Sequence, residues 1–213
     1  MVKLSFKKTS EEIQEGLKSL VEKSIELGSD ETAIIKAEDI IIDERVRAKC
    51  RYPPCPGYGS SIMCPPHSMS ADETRKLVKL YKHAIIVRVD ISPEDAAGLE
   101  ARKRKAYYPH FAKIREIINQ LEGDAFHQGF YLVLGFTVGS CRLCSPHSDP
   151  IECEALKTNI CKFPFKARPA MESVGIDVYA TVSKIGWEIY PVGILSDPSK
   201  IPCARAFGLL LVM

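Results

Sequence analysis

Apolar residues at helical spacing predict the first helix of the chain. Thr9 forms a potential capping box with Glu12, and apolar side chains then recur at intervals of three and four residues as far as Gly28. A capping hydroxyl followed three positions later by a glutamate begins a helix, and glycine commonly ends one. The pattern therefore predicts a helix over about residues 10–27.

Two similar start signals predict the next helices. Ser70 opens a second capping box, which predicts a helix over about 70–81. Ser92 is followed by a proline and two acidic residues, which is a strong start for a third helix. This helix is expected to be interrupted at Pro109 and to continue to about residue 123.

Runs of β-branched and aromatic residues predict the strands. Residues 33–42 are predicted to form one or two strands, and the other predicted strands are 84–89, 130–138, 178–182, 186–192 and 207–212. A short helix is predicted after Pro169. Strands and helices alternate irregularly, which favours an α+β fold, with α/β as the alternative. We expect a mixed sheet of about five strands covered by helices.

Length and composition narrow the class of protein. A chain of 213 residues with 46% hydrophobic residues can bury one sizeable core, so residues 1–213 are expected to form a single domain. A net charge of +2 gives no general reason to bind nucleic acid or membranes. No apolar run approaches the ~20 residues of a membrane helix, and the first eight residues show no signal-peptide pattern. We expect a cytoplasmic protein.

Clustered cysteines are the strongest chemical signal. Seven of the eight lie in two loops, 50–67 and 141–164, that are also rich in proline. A cytosolic chain of this size keeps its thiols reduced, and clustered thiols in such a chain more often bind metal than form disulfides. We interpret the two loops as two metal sites. No phosphate loop or catalytic triad motif is present, so no enzyme class is indicated.

The first window has the spacing C-x4-C-x8-C-P-P, with Cys50, Cys55 and Cys64 as candidate ligands. Its many prolines and glycines predict an irregular loop on which the thiols can converge. Cysteine followed by proline recurs in iron–sulfur ligand runs. Three thiolates leave a fourth position, which His67, Cys203 or an exogenous ligand could fill.

The second window contains four thiols, enough for a tetrahedral site or a [4Fe–4S] cluster. They are Cys141, Cys144, Cys153 and Cys161. A helix start is predicted at 149–152, which would place Cys153 in a first helical turn, where the helix dipole favours a thiolate. His147 competes with Cys153 as the third ligand, and iron favours the softer thiolate.

These windows and several flanking stretches resemble a family of cysteine-rich proteins of anaerobic microbes, described only as predicted metal-binding proteins of unknown function. The resemblance extends from about Val46 to the C-terminus. The shared stretches include 46–50, 63–66, 81–84, 141–144, 161–164, 167–172 and 175–178. The family pattern has a third cysteine where this sequence has His147, and Cys153 lies on a segment that looks inserted. The resemblance implies metal or iron–sulfur binding without specifying a reaction.

Two functions are consistent with these observations. The first is an iron–sulfur protein with two [4Fe–4S]-type sites that exchanges electrons with a partner enzyme or carries out redox chemistry. The alternative is a zinc-binding structural or interaction module. A redox partner protein is expected, and the oligomeric state is not indicated. The basic run Arg102–Lys105 is either the solvated face of a helix or a docking surface for an acidic redox partner or RNA.

Overall fold

The computed structural model describes residues 8–146 and 148–213, so the predictions for the first seven residues and for His147 lie outside it. Within these ranges the chain forms eight α-helices and one four-stranded sheet of order β1-β2-β4-β3, which confirms the α+β class. The strands are β1 Glu31–Lys36, β2 His83–Ile91, β3 Leu134–Phe136 and β4 Ala204–Leu211. The helices are α1 Ser10–Glu26, α2 Glu44–Arg51, α3 Ala71–Val78, α4 Pro93–Ala96, α5 Gly98–Arg104, α6 Tyr108–His127, α7 Glu154–Thr158 and α8 Val178–Lys184. None of the described helices has the length and apolar composition that crossing a membrane requires.

One face of the sheet is covered by α1 and α6. Alternate residues of β2, among them Ile85 and Val87, point into this layer together with Ile114 and Ile118 of α6. Helix α6 lies directly on β4 because Gly208 has no side chain. A Cβ atom at this position would stand 2.6 Å from the Cγ1 atom of Ile118. This close packing fixes α6 against β4, which pairs with β3, the strand that leads into the second cysteine window.

The opposite face is covered mainly by the segment that follows the second window. Met171, Val174 and Ile176 pack with Ile86 and Leu209 in a second core cluster. This segment contains a 3-10 helix over Glu172–Val174, which takes the place of the short helix predicted after Pro169. The two layers together bury both faces of the central strands β2 and β4.

The sheet has four strands rather than about five within the described ranges, and its three strand pairings are antiparallel rather than mixed. The predicted strand 178–182 is helix α8. The Asp177 carboxylate accepts a hydrogen bond from the Ala180 N–H (2.9 Å) and caps this helix. Val178, Thr181 and Val182 are buried at helical spacing. The strand prediction for this run of β-branched residues is therefore wrong, because tertiary burial outweighs their weak strand preference.

Two more predicted strands are wrong in extent. Residues 186–192 have no regular structure, and the Trp187 ring stacks on Phe207 with a centroid separation of 6.0 Å. In the predicted strand 130–138, only β3 is regular. This edge strand has only β4 to pair with, so hydrogen-bonded partners limit its length more than its apolar composition does.

The helix predicted from Ser92 consists of three helices. Ala97 adopts an extended conformation (φ −114°, ψ 152°) and separates α4 from α5. Lys105 ends α5 in the left-handed region (φ 55°). Pro109 lies in the first turn of α6, where a missing N–H costs nothing, so this proline begins a helix rather than interrupting one.

Candidate metal centre

The first window begins on a helix, which sequence analysis missed. The Asp43 carboxylate accepts a hydrogen bond from the Arg45 N–H (2.8 Å) and caps α2. Cys50 lies in the last turn of this helix, and its carbonyl accepts a hydrogen bond from the Cys55 N–H (2.9 Å). A helix and the turn that follows it therefore position the first two thiols, rather than an irregular loop alone.

Ser173 anchors the rest of the first window to the layer that covers the sheet. Its hydroxyl donates to the Met63 carbonyl (3.0 Å), and its carbonyl accepts from the Ser68 hydroxyl (2.8 Å). Cys64 lies between these bonds and is 5% exposed. Its carbonyl accepts hydrogen bonds from the N–H groups of His67 and Ser68, both at 3.0 Å. Cys64 is therefore held rigidly in the interior, whereas Cys55 is exposed.

The second window follows β3 and closes on itself. The Ser145 hydroxyl accepts a hydrogen bond from the Glu152 N–H (2.9 Å) and donates to the Glu152 carbonyl (3.2 Å). Cys153 comes next as the N-cap residue of α7, one position before the first turn that was predicted for it. The predicted helix start at 149–152 is thus wrong by a few residues, because the Ser145–Glu152 bonds hold that segment in a loop.

Crossed hydrogen bonds join the two windows. Hydrogen bonding from the Ser140 hydroxyl and the Cys141 N–H lowers the pKa of the Cys64 thiol against the larger effect of burial. In the opposite direction, hydrogen bonding from the Ser61 hydroxyl and the Ile62 N–H lowers the pKa of the Cys153 thiol. Each window therefore supplies donors to a sulfur atom of the other.

Gly57 allows this approach. A Cβ atom at residue 57 would stand 2.1 Å from the Ser140 Oγ atom and 3.4 Å from the Cys64 Sγ atom. Because the first of these distances is far below contact distance, a larger residue at this position would push the windows apart. The glycine at this position is thus required by packing between the windows rather than by a turn.

Burial and neighbouring thiols raise the pKa values of three cysteines. Burial raises the pKa of Cys50 to about 11, and the nearby Cys55 and Cys64 add to this effect. Burial also raises the pKa of Cys64 and of Cys141. Cys55 and Cys141 act on Cys64 in the same direction, as Cys153 and Cys144 do on Cys141. Six thiols from the two windows are therefore close enough to influence one another.

Cys153 behaves differently. Burial raises the pKa of its thiol, but the hydrogen bonds from Ile62, Ser61, Ala155 and Leu156 outweigh burial and lower the pKa below its ordinary value. Donors that point at the sulfur stabilise the thiolate, which is the form that binds metal.

We predict that in the metal-free protein Cys153 is alkylated at lower pH than Cys50. A lowered pKa leaves a larger thiolate fraction near neutral pH, whereas Cys50 becomes thiolate only as the pH approaches about 11. Iodoacetamide labelling over a pH series, read residue by residue by mass spectrometry, measures both. Ser61→Ala should shift the Cys153 profile to higher pH and leave Cys50 unchanged. Equal profiles for the two thiols would contradict the crossed hydrogen bonds.

The described residues supply suitable donor atoms without coordinating geometry. In residues 8–146 and 148–213, no three His, Cys, Asp or Glu side chains are arranged to hold a metal ion. The donor set still fits a thiolate-bound metal, since hydrogen bonds point at two of the sulfurs and the thiols cluster. Of the other predicted ligands, Cys144 and His67 are exposed, whereas Cys161 and Cys203 are half-buried.

Arg115 is a charged neighbour of the thiols that sequence analysis missed. This half-buried side chain of α6 forms no ion pair with a carboxylate in the described part of the chain. Its pKa is lowered by burial, an effect that the nearby Cys141 opposes. In return, the Arg115 charge lowers the pKa of Cys141 against the effect of burial. The sequence feature that could have identified Arg115 is its position four residues after Phe111, at the edge of the apolar face of α6.

Comparison with known proteins gives one match. A family model described as "Predicted metal-binding protein (DUF2284)" matches residues 33–211, which include both cysteine windows. No curated protein and no solved structure matches the chain. The match confirms the resemblance to metal-binding proteins of unknown function. Because it extends over most of the sequence, the chain belongs to this family of predicted metal-binding proteins.

Proposed function

We propose that this metal-binding protein holds iron–sulfur clusters, two of the [4Fe–4S] type, in adjoining sites built by the two windows. The ligands are Cys50, Cys55 and Cys64 on one side and Cys141, Cys144, Cys153 and Cys161 on the other. The observation that carries the proposal is the close approach of the two windows at Gly57, which brings their thiols together and lets donors of each window act on a sulfur of the other. Backbone N–H donors and burial of the sulfur atoms are the means by which proteins tune iron–sulfur clusters.

Electron exchange with a partner protein is the role we propose for these clusters. When bound, such clusters supply reversible one-electron transfer. Cys55 and Cys144 are exposed, so each window presents one candidate ligand to solvent. The burial of Cys64 and the exposure of Cys55 support a site that is anchored to the core and open at the protein surface. A partner could thus approach the site without unfolding the chain.

Anaerobic purification followed by metal analysis tests this proposal. We expect a brown protein with about eight iron and eight acid-labile sulfide per chain, which is the content of two [4Fe–4S] clusters. Reduction with dithionite should bleach the visible absorption. A colourless protein with stoichiometric zinc and no sulfide would overturn the proposal and establish the zinc module instead. An iron protein that exchanges electrons with no carrier would overturn the electron-transfer role alone.

A further inference from the structure

A cavity of about 790 Å³ lies between the cysteine windows and the segment that joins α5 to α6. Cys55 and Gly57 of the first window and Ser140 and Arg142 of the second form part of its wall. Its volume is in the range of sites that enclose small molecules. The residues proposed to hold the metal therefore also line a space large enough for a ligand.

Basic side chains dominate this cavity. Five line it, and no carboxylate does so in the described part of the chain. The five are Arg102, Arg104, Lys105, Arg115 and Arg142. Two carboxylates outside the wall pair with them. Asp149 contacts both Lys105 and Arg142, and Asp95 lies 3.9 Å from Arg104. Five cations thus share two carboxylates, which leaves an excess of positive charge.

Arg102 and Arg115 carry most of this excess. Arg102 donates to the Tyr107 hydroxyl (2.5 Å), and Arg115 donates to the Ser140 carbonyl (3.5 Å). No ion pair joins either of them to a carboxylate among residues 8–146 and 148–213. Arg102 is exposed, whereas Arg115 is half-buried. A half-buried guanidinium without a counter-charge is costly, and an anion that enters the cavity would remove that cost for Arg115.

The remaining wall is aromatic. The centroid of the Tyr108 ring lies close to two cations, 5.7 Å from the Lys105 Nζ atom and 4.8 Å from the Arg142 guanidinium. Tyr107 and Phe111 pack beside it, with ring centroids 5.1 Å apart. Flat apolar surfaces between cations suit a ligand that has both an organic body and negatively charged groups.

We propose that this cavity binds a small organic polyanion. Its carboxylate or phosphate groups contact Arg102 and Arg115, its body lies against Tyr107 and Tyr108, and one end reaches Cys55. The cavity is a concave space, partly open to solvent and lined by the basic residues, which distinguishes it from a flat surface that docks an acidic protein. The proposal goes beyond metal binding, since the charges and the aromatic wall are present in the chain itself.

Calorimetric titration of the purified full-length, metal-containing protein tests this proposal. Citrate and inorganic pyrophosphate serve as carboxylate and phosphate probes, and acetate serves as the singly charged control. Arg102→Gln and Arg115→Gln should each weaken binding about tenfold, the effect of losing one charge-assisted hydrogen bond. Lys103→Gln is the matched control, because Lys103 belongs to the same basic run but pairs with Glu100 (2.9 Å) outside the cavity.

The outcomes separate the alternatives. Citrate binding alone identifies a carboxylate ligand, and pyrophosphate binding alone identifies a phosphate ligand. If neither probe binds more tightly than acetate, or if Lys103→Gln weakens binding as much as Arg102→Gln does, the proposal is overturned. Iron, sulfide and zinc are measured in every variant, so a failure of the iron–sulfur proposal is visible separately from a failure of anion binding.

Discussion

Replacing Cys64 with serine is expected to remove more than half of the metal bound by the chain. A serine hydroxyl is a much poorer ligand than a thiolate for iron or zinc, so the first window loses one of its three thiols. The substitution also changes the atom to which Ser140 and Cys141 of the second window donate. Because each window supports the other, the second site should lose metal as well. Metal per chain, measured by mass spectrometry after anaerobic purification, gives the result.

Cys203→Ser is the matched control for this experiment. Cys203 is half-buried directly before β4 and is not one of the six thiols that influence one another, so we expect that it is not the fourth ligand and that its substitution leaves the metal content unchanged. Circular dichroism of both variants shows whether the fold is retained. If Cys64→Ser retains half of the metal, the two sites are independent of each other despite their contact. If it retains all of the metal, Cys64 is not a ligand.

The parts of the fold that could be predicted depend on neighbours in sequence. The capping boxes at Thr9 and Ser70 are both present, with the Glu12 and Glu73 carboxylates accepting hydrogen bonds from the cap N–H groups at 2.7 Å. Such signals lie within four consecutive residues, so their effect does not depend on the tertiary structure around them. Strands need partners that sequence does not identify, which is why the strand predicted at 186–192 is absent among the described residues.

In the candidate site, too, only the features that depend on neighbours in sequence could be predicted. Spacing within each window predicted which cysteines are available, but not that the windows touch. The contact depends on Gly57, Ser61 and Ser140, none of which belongs to a recognisable motif. Tertiary packing brings these residues together, because the first window is anchored at Ser173 and the second follows β3. Long-range packing of this kind leaves no local signal in a single sequence.

The second large effect is expected for Arg168→Ala, which should lower the free energy of unfolding by about 3 kcal/mol. Arg168 binds the Glu122 carboxylate of α6 through its Nε (2.7 Å) and Nη2 (2.8 Å) atoms, and both side chains are less than 20% exposed (17% and 12%). Without Arg168, a mostly buried carboxylate loses its partner. Arg168 also donates to the carbonyls of Pro164 (3.0 Å) and Ala167 (2.7 Å). The substitution therefore also removes two bonds that hold the segment after Cys161.

Denaturant unfolding of the purified protein measures this loss, and a double-mutant cycle with Glu122→Ala isolates the pair. The double variant should lose clearly less stability than the two single variants together, because removing both charges leaves neither one buried alone. Lys23→Ala, which breaks an exposed pair with Glu26, is the control and should change stability by less than about 0.5 kcal/mol. Additive losses in the cycle would contradict the pairing. A metal content that falls in Arg168→Ala would show that the bond to α6 also holds the second window in place.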